Sequence, residues 1–124
     1  FMLGVQDPIV PYNGGEIRLG SERRGAAVSA MDSVDYWCKA NRCTKNEKAV
    51  HINETENESD GTSVTRQRFY GESRKNEVVL VKIEGGGHTW PSGWQYLGES
   101  FIGKTSRAIS ANEMIWSFFK RHHM

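Results

Sequence analysis

The run Val78-Val79-Leu80-Val81-Lys82-Ile83 constrains this chain more than any other feature. A half-solvated strand alternates apolar and polar residues, and this run scarcely alternates. It predicts a strand over residues 77–84 that is covered on both faces, the pattern of a sheet sandwiched between layers. With 124 residues the chain has room for one domain with one modest core.

Around that strand the remaining elements follow from periodicity and punctuation. Phe1–Val5 reads as the end of a buried strand, stopped by Asp7-Pro8, where proline removes a ladder donor and biases its neighbour to an extended backbone. Pro11, Gly14-Gly15 and the polar stretch from Gly20 to Gly25 read as loop. Ser29 followed by Asp32 is a capping arrangement, and Met31, Val34, Trp37 and Cys38 recur at helical spacing, predicting a helix over 30–40. Residues 44–61 are the most polar stretch and read as an exposed connection ending in the turn signal Asp60-Gly61. Thr62–Tyr70 has strand composition, and the short polar link to residue 77 predicts an antiparallel pair. Residues 89–108 show no period and read as loop. The last helix is signalled by a capping box, Ser110 and Glu113, and a hydrophobic staple, Ile109 and Met114. Its apolar face is Met114, Ile115, Phe118 and Phe119, and Lys120-Arg121 suit the negative end of its dipole. The order is strand, helix, strand, strand, helix: an α/β arrangement without enough strands to close a sheet.

Composition removes some function classes. Sixteen basic against fifteen acidic residues leave a formal charge of +1, so no clustered positive charge points to nucleic acid or a membrane surface. No apolar run approaches the roughly 20 residues that span a bilayer. No signal peptide is visible, but the chain opens inside an apolar run without an initiator Met, so the true N-terminus is expected upstream. Cys38 and Cys43 admit two readings, a disulfide if the chain turns between them or two free thiols. A zinc site is disfavoured because no second Cys/His pair stands nearby. Asn53 and Asn57 each begin an Asn-x-Ser/Thr triplet, which carries weight only in a eukaryotic secretory pathway.

The chemistry is concentrated at two strand ends. Gly85-Gly86-Gly87-His88-Thr89-Trp90-Pro91 follows the predicted strand at once, and glycines let a backbone turn abruptly and approach other groups closely. A histidine there is suited to proton transfer, though taken alone it reads rather as an exposed residue in a flexible turn. Asp7 also follows a strand, and its bland reading is an Asp-Pro turn whose side chain caps local N–H groups. Acid first and histidine second is the order of the last two members of an α/β-hydrolase triad, Ser, then Asp or Glu, then His.

Taken together, these stretches resemble the poly(3-hydroxybutyrate) depolymerase and feruloyl esterase family of α/β-hydrolases. Asp7-Pro8-Ile9-Val10-Pro11-Tyr12-Asn13-Gly14-Gly15 is similar to the family's acid loop, and Gly85–Pro91 to its histidine loop. Ile102-Gly103-Lys104-Thr105-Ser106-Arg107, Ala111-Asn112-Glu113 and Ile115-Trp116-Ser117-Phe118-Phe119 resemble its C-terminal tail, and Trp37 with Cys43 fits its helix end. The likeness runs from the first residue to the last. It implies that residues 1–124 are the C-terminal segment of an α/β-hydrolase domain that cleaves carboxylic esters of polyester or hydroxycinnamoyl type. It further implies Asp7 and His88 as catalytic residues, Trp90 and Tyr12 as substrate-binding residues, no cofactor or metal, and a secreted or periplasmic setting as allowed.

The sequence departs from that family in two places. Leu3-Gly4 stands where His-Gly is usual, and no Gly-x-Ser-x-Gly occurs anywhere. Ser21 lacks the upstream glycine, and Ser92 follows Pro91 with no strand leading into it. The nucleophile elbow and oxyanion donors belong to the N-terminal half in this family, so the chain alone is expected to be inactive. A non-catalytic alternative is a truncated module that self-associates through an unpaired sheet edge. Gly98–Thr105 also satisfies the phosphate-loop pattern Gly-x4-Gly-Lys-Thr, but no strand precedes it and the next helix is capped only at Ser110. Trp94 and Tyr96 read as loop packing, and the neighbouring His122 and His123 as a solvated chain end rather than metal ligands.

Overall fold

A computed structural model describes residues 1–52, 60–73 and 76–122. The triplets at Asn53 and Asn57, and His123, lie outside the described residues. The elements are β1 (Met2–Gly4), β2 (Gly15–Leu19), β3 (Glu22–Ala27), α1 (Ala30–Ala40), β4 (Lys45–Asn46), β5 (Val50–His51), β6 (Ser63–Tyr70), β7 (Glu77–Glu84), α2 (Glu99–Ile102) and α3 (Ala111–Arg121). Among the described residues five strands form one mixed sheet in the order β1-β7-β6-β4, with β5 also on β6, while β2 and β3 form a separate hairpin. The fold class is thus mixed α/β, with three helices among the described residues.

Strand β7 carries the sheet because both of its faces are covered. It pairs antiparallel with β6 from Ser63↔Glu84 to Tyr70↔Glu77, and parallel with β1 from Met2↔Val81 to Gly4↔Ile83. Side chains alternate across a strand, so Val81 and Ile83 share one face with Val64. There they pack on Ala108 and Ile109, with Val79, Met2 and Met114 around them. Val78 and Leu80 face the other way and pack on Val34 of α1, with Leu3, Phe69, Cys38 and Cys43 around them. The near-continuous apolar run therefore serves two small cores at once, as expected of it.

The two long helices begin where their caps predict. Ser29 Oγ accepts from Asp32 N at 3.0 Å and donates to Asp32 Oδ2 at 2.7 Å. Ser110 Oγ accepts from Glu113 N at 3.3 Å. Caps of this kind contribute about 1 kcal/mol each. The staple also forms, since buried Ile109 and Met114 belong to the same cluster. Cys38 and Cys43 are free thiols, although the chain does turn between them through Arg42 at φ 54. Burial, and then the adjacent Cys43, push the Cys38 thiol up to about 11.

Three stretches differ from the expectation of loop. Glu22–Ala27 is a strand, and Gly20-Ser21 is the two-residue turn of a β2–β3 hairpin, with Gly20 at φ +61 as mirror-image hairpin turns require. The polar stretch 44–61 contributes β4 and β5, which are exposed and two residues long but laddered onto β6. Residues 99–102 form the single turn α2.

Candidate active site

Parallel neighbours deliver their C-terminal ends to the same edge of a sheet, and β1 and β7 are the parallel pair here. Asp7 lies three residues beyond β1 and His88 four residues beyond β7, so the topology brings together two residues far apart in sequence. The connecting loops are laced by main-chain bonds, Val5 N to Ile83 O at 2.9 Å and Gln6 N to Gly86 O at 3.0 Å. The side-chain carbonyl of Gln6 also accepts from Gly85 N.

Glycine permits this close lacing. A Cβ on Gly4 would collide with the carbonyls of Gly86 and Gly87, and one on Gly87 with Ile102 O and Gly103. Backbones approach here at distances that no side chain tolerates. The opposite side of the histidine loop is held by residues 102–104: Gly87 N donates to Lys104 O at 2.9 Å and His88 N to Ile102 O at 2.6 Å.

Within this frame His88 Nδ1 stands 2.9 Å from Asp7 Oδ2. The other carboxylate oxygen, Oδ1, accepts from Ile9 N at 2.8 Å and Val10 N at 2.9 Å. Asp7 therefore caps its own turn and meets the histidine at the same time. Its side chain is 11% exposed and that of His88 is 44% exposed. An ionised carboxylate only accepts, so it fixes the Nδ1–H tautomer and leaves Nε2 with a lone pair. That nitrogen has no hydrogen-bond partner among the described residues, and an imidazole held this way is able to take up a proton at Nε2.

The other candidates are placed as follows. Trp90 is half-exposed two residues beyond His88, with its Nε1 donating to Asn112 Oδ1 at 2.9 Å. Trp94 and Leu97 on the following loop and Phe101 on α2 are exposed, and Tyr96 OH donates to His88 O at 3.1 Å. Tyr12 lies near Lys82, whose Nζ is 5.8 Å from the ring centroid. Burial raises the Tyr12 phenol above its usual range, partly opposed by Lys82. Ser21 is in the β2–β3 turn, and the Ser92 hydroxyl donates to Ile109 O at 2.8 Å. The phosphate-loop pattern has an order unsuited to phosphate: its helix, α2, ends at Ile102 with Gly103 as its C-cap, instead of beginning at Lys104-Thr105.

Sequence reasoning missed a second histidine–carboxylate contact. His122 is not a solvated chain end: its Nε2 lies 2.7 Å from Oε1 of Glu77, whose side chain is 1% exposed. Arg68 Nη2 at 2.7 Å and Arg121 Nη2 at 3.1 Å share that carboxylate. The one available signal was the unexplained acidic residue at the head of an apolar strand. Among the described residues no group of three or more His, Cys, Asp or Glu side chains is arranged to hold a metal ion.

Fold and site thus define a mixed α/β protein with a histidine–carboxylate pair at the edge where two parallel strands end. No family model matches the chain, and no solved structure matches it. Among curated proteins it is distantly similar to "Putative esterase NocK" of Nocardia uniformis subsp. tsuyamanensis. The two are 26% identical over 121 residues, covering 93% of this chain and 35% of the relative. The chain therefore spans about a third of the length of the curated relative it matches.

Proposed function

We propose that these residues form the acid-and-histidine portion of a serine esterase with an α/β-hydrolase fold. The observation that carries the reading is the 2.9 Å contact between Asp7 Oδ2 and His88 Nδ1 at the C-terminal ends of adjacent parallel strands. The distant similarity to the protein named "Putative esterase NocK" supports it independently. In this reading a serine and its oxyanion donors come from a part of the protein outside residues 1–124. His88 takes the serine proton through Nε2 as the ester carbonyl is attacked and returns it to the leaving alcohol. Asp7 holds the ring and stabilises the imidazolium. The substrates are carboxylic esters of polyhydroxybutyrate or feruloyl type, with Trp90 and Tyr12 offering apolar contact to the acyl or aromatic group.

The test is activity on p-nitrophenyl esters. Residues 1–124 alone give no turnover. A protein translated from a reading frame that continues upstream through Gly-x-Ser-x-Gly hydrolyses them and loses that activity in His88→Ala. A start codon at or just before Phe1, or an extended protein indifferent to His88→Ala, overturns the reading.

One observation favours a second reading, a self-associating module without catalysis. An apolar cleft of about 420 Å³ opens beside the head of β7, lined by Phe1, Met2, Trp37, Ile115, Phe118 and Phe119. Apolar surface beside a sheet edge favours association. Sedimentation of the 124 residues at micromolar concentration as a stable monomer counts against this reading.

A further inference from the structure

The stretch that spells a phosphate-loop pattern has a different part to play. Residues 102–105 run past the histidine loop and are bonded to it repeatedly. Lys104 O accepts from Gly87 N at 2.9 Å and from Thr89 Oγ1 at 3.0 Å, one residue to either side of His88. Ile102 O accepts from His88 N itself at 2.6 Å. The position of His88 is therefore only as well defined as the position of this strap.

Side chains anchor the strap from two directions. On one side Gln95 uses its whole amide: Nε2 donates to Gly103 O at 3.0 Å and to Leu97 O at 2.8 Å, while Oε1 accepts from Thr105 N at 2.8 Å. The next residue, Tyr96, closes on His88 O. On the other side Lys104 Nζ donates to Asp60 O at 2.7 Å. The Asp60 carboxylate is itself fixed, accepting from Thr62 N and Thr62 Oγ1 and from Arg107 N, just past the strap. Thr62 Oγ1 and Ser106 Oγ lie 2.7 Å apart and close the same tie. An amide with three hydrogen bonds and an ammonium aimed at a main-chain carbonyl define geometry, because each bond weakens sharply when misaligned.

We propose that Gln95 and Lys104 are positioning residues for His88, acting through the 102–105 strap, and that the Gly-x4-Gly-Lys-Thr pattern is this strap and not a nucleotide site. The role rests on the proton-transfer reading of His88, while the strap's control of the loop is measurable without any activity.

Amide hydrogen exchange on the 124-residue chain tests the strap. Lys104→Met and Gln95→Leu are expected to accelerate exchange at Gly87 and His88 about five- to tenfold, in keeping with the loss of a single hydrogen bond. Exchange at Val34 in α1 stays at the parent rate, and Lys104→Arg, which keeps a donor, restores most of the protection. Unchanged exchange at Gly87 and His88 in both variants overturns the proposal. So does acceleration equal to that at Val34, which marks a general loss of stability. The imidazole Nδ1 proton resonance of His88 separates this outcome from failure of the esterase reading. Its absence from the parent chain removes the Asp7–His88 pair and leaves the strap to be decided by exchange. Its presence in the parent and weakening in Lys104→Met supports positioning.

Discussion

Strand β7 has a histidine–carboxylate pair near each end, and the two are built on opposite plans. At its head the carboxylate is buried: Glu77 is 1% exposed and holds Arg68, Arg121 and His122 together. At its tail the carboxylate of Asp7 is tied to its own turn, and its remaining oxygen meets a largely accessible histidine. The Glu77 carboxylate has no spare capacity, with both oxygens taken by Arg68, Arg121 and His122. His122 gives one nitrogen to Glu77 and stacks its ring 4.5 Å from Phe118, so it locks the end of α3 to the sheet. The second pair leaves His88 Nε2 without a partner among the described residues. A histidine beside a carboxylate is thus no marker of chemistry in itself. What decides is whether the carboxylate serves the histidine alone among side chains, and how accessible the ring is, 44% exposed for His88 against 17% for His122.

Substitution at the head of the strand breaks this contrast with the largest effect. Glu77→Ala leaves Arg68, 22% exposed, with the weaker contact to Glu47 at 3.5 Å, and frees Arg121 and His122 from the sheet. Removing one partner of a buried charge cluster costs about 3–5 kcal/mol, read as a fall in the urea midpoint. The contribution depends on pH. Burial alone would raise the Glu77 carboxyl, but hydrogen bonds from His122, Arg68 and Arg121 outweigh it and hold it below its usual 4.5. A depressed folded value means the stabilisation is complete above the unfolded value and is lost as pH falls through the folded one. The parent therefore loses stability below about pH 4.5. Glu77→Gln shows a flatter acid limb over that window. An unchanged limb would mean that other carboxylates set it, of which Asp60 is the first to examine: its carboxyl is also lowered, with burial opposed by Thr62, Arg107 and Lys104.

How far each region was legible follows from the range of the interactions that make it. Strands β6 and β7 and helices α1 and α3 were visible because caps and apolar periods act within a few residues. The Asp7–His88 pair was legible as two strand ends in a given order, although the contact itself depends on β1 lying parallel beside β7. The β2–β3 hairpin was not visible: Arg23 and Arg24 are exposed, no apolar face alternates through Glu22–Ala27, and the ladder is held by main chain. Only Gly20-Ser21 announced it. Glu77 and His122 meet across 45 positions, and no local pattern foretells a contact that depends on where α3 crosses the sheet. Gly87 was legible as a residue that lets the chain turn and approach closely, whereas the close main-chain approaches of Gly4 and Gly103 depend on contacts that no local pattern shows.

That use makes Gly87→Ala the next largest effect, at the opposite end of the strand. Its Cβ would meet Ile102 O and sit 2.7 Å from the carbonyl carbon of Gly103, and backbone cannot swing aside as a side chain tip does. Forcing an atom into such a contact costs about 1–3 kcal/mol. The loss is expected to concentrate in the histidine loop, with faster amide exchange at His88 and little change in the core around Val34. Exchange rising equally in both places would show that the loop and core open as one unit and would dissolve the contrast between the two ends.

Asp7→Asn has the smallest effect on stability and the most discriminating one. The asparagine side-chain oxygen can still accept from Ile9 N and Val10 N, so the turn survives and the cost stays under about 1 kcal/mol. Its amide then presents N–H towards His88 Nδ1, where a carboxylate oxygen stood. Nδ1 must accept instead of donate, the ring proton moves to Nε2, and that nitrogen can no longer take a proton. In a complete esterase the same exchange is expected to lower kcat by about 10⁴, as a wrong tautomer does in other triads, with KM little changed. In the 124 residues alone it shows as loss of the His88 Nδ1 proton resonance at nearly unchanged stability. A large fall in stability instead would place Asp7 with Glu77 as a structural acid, and the two ends of β7 would then follow one plan.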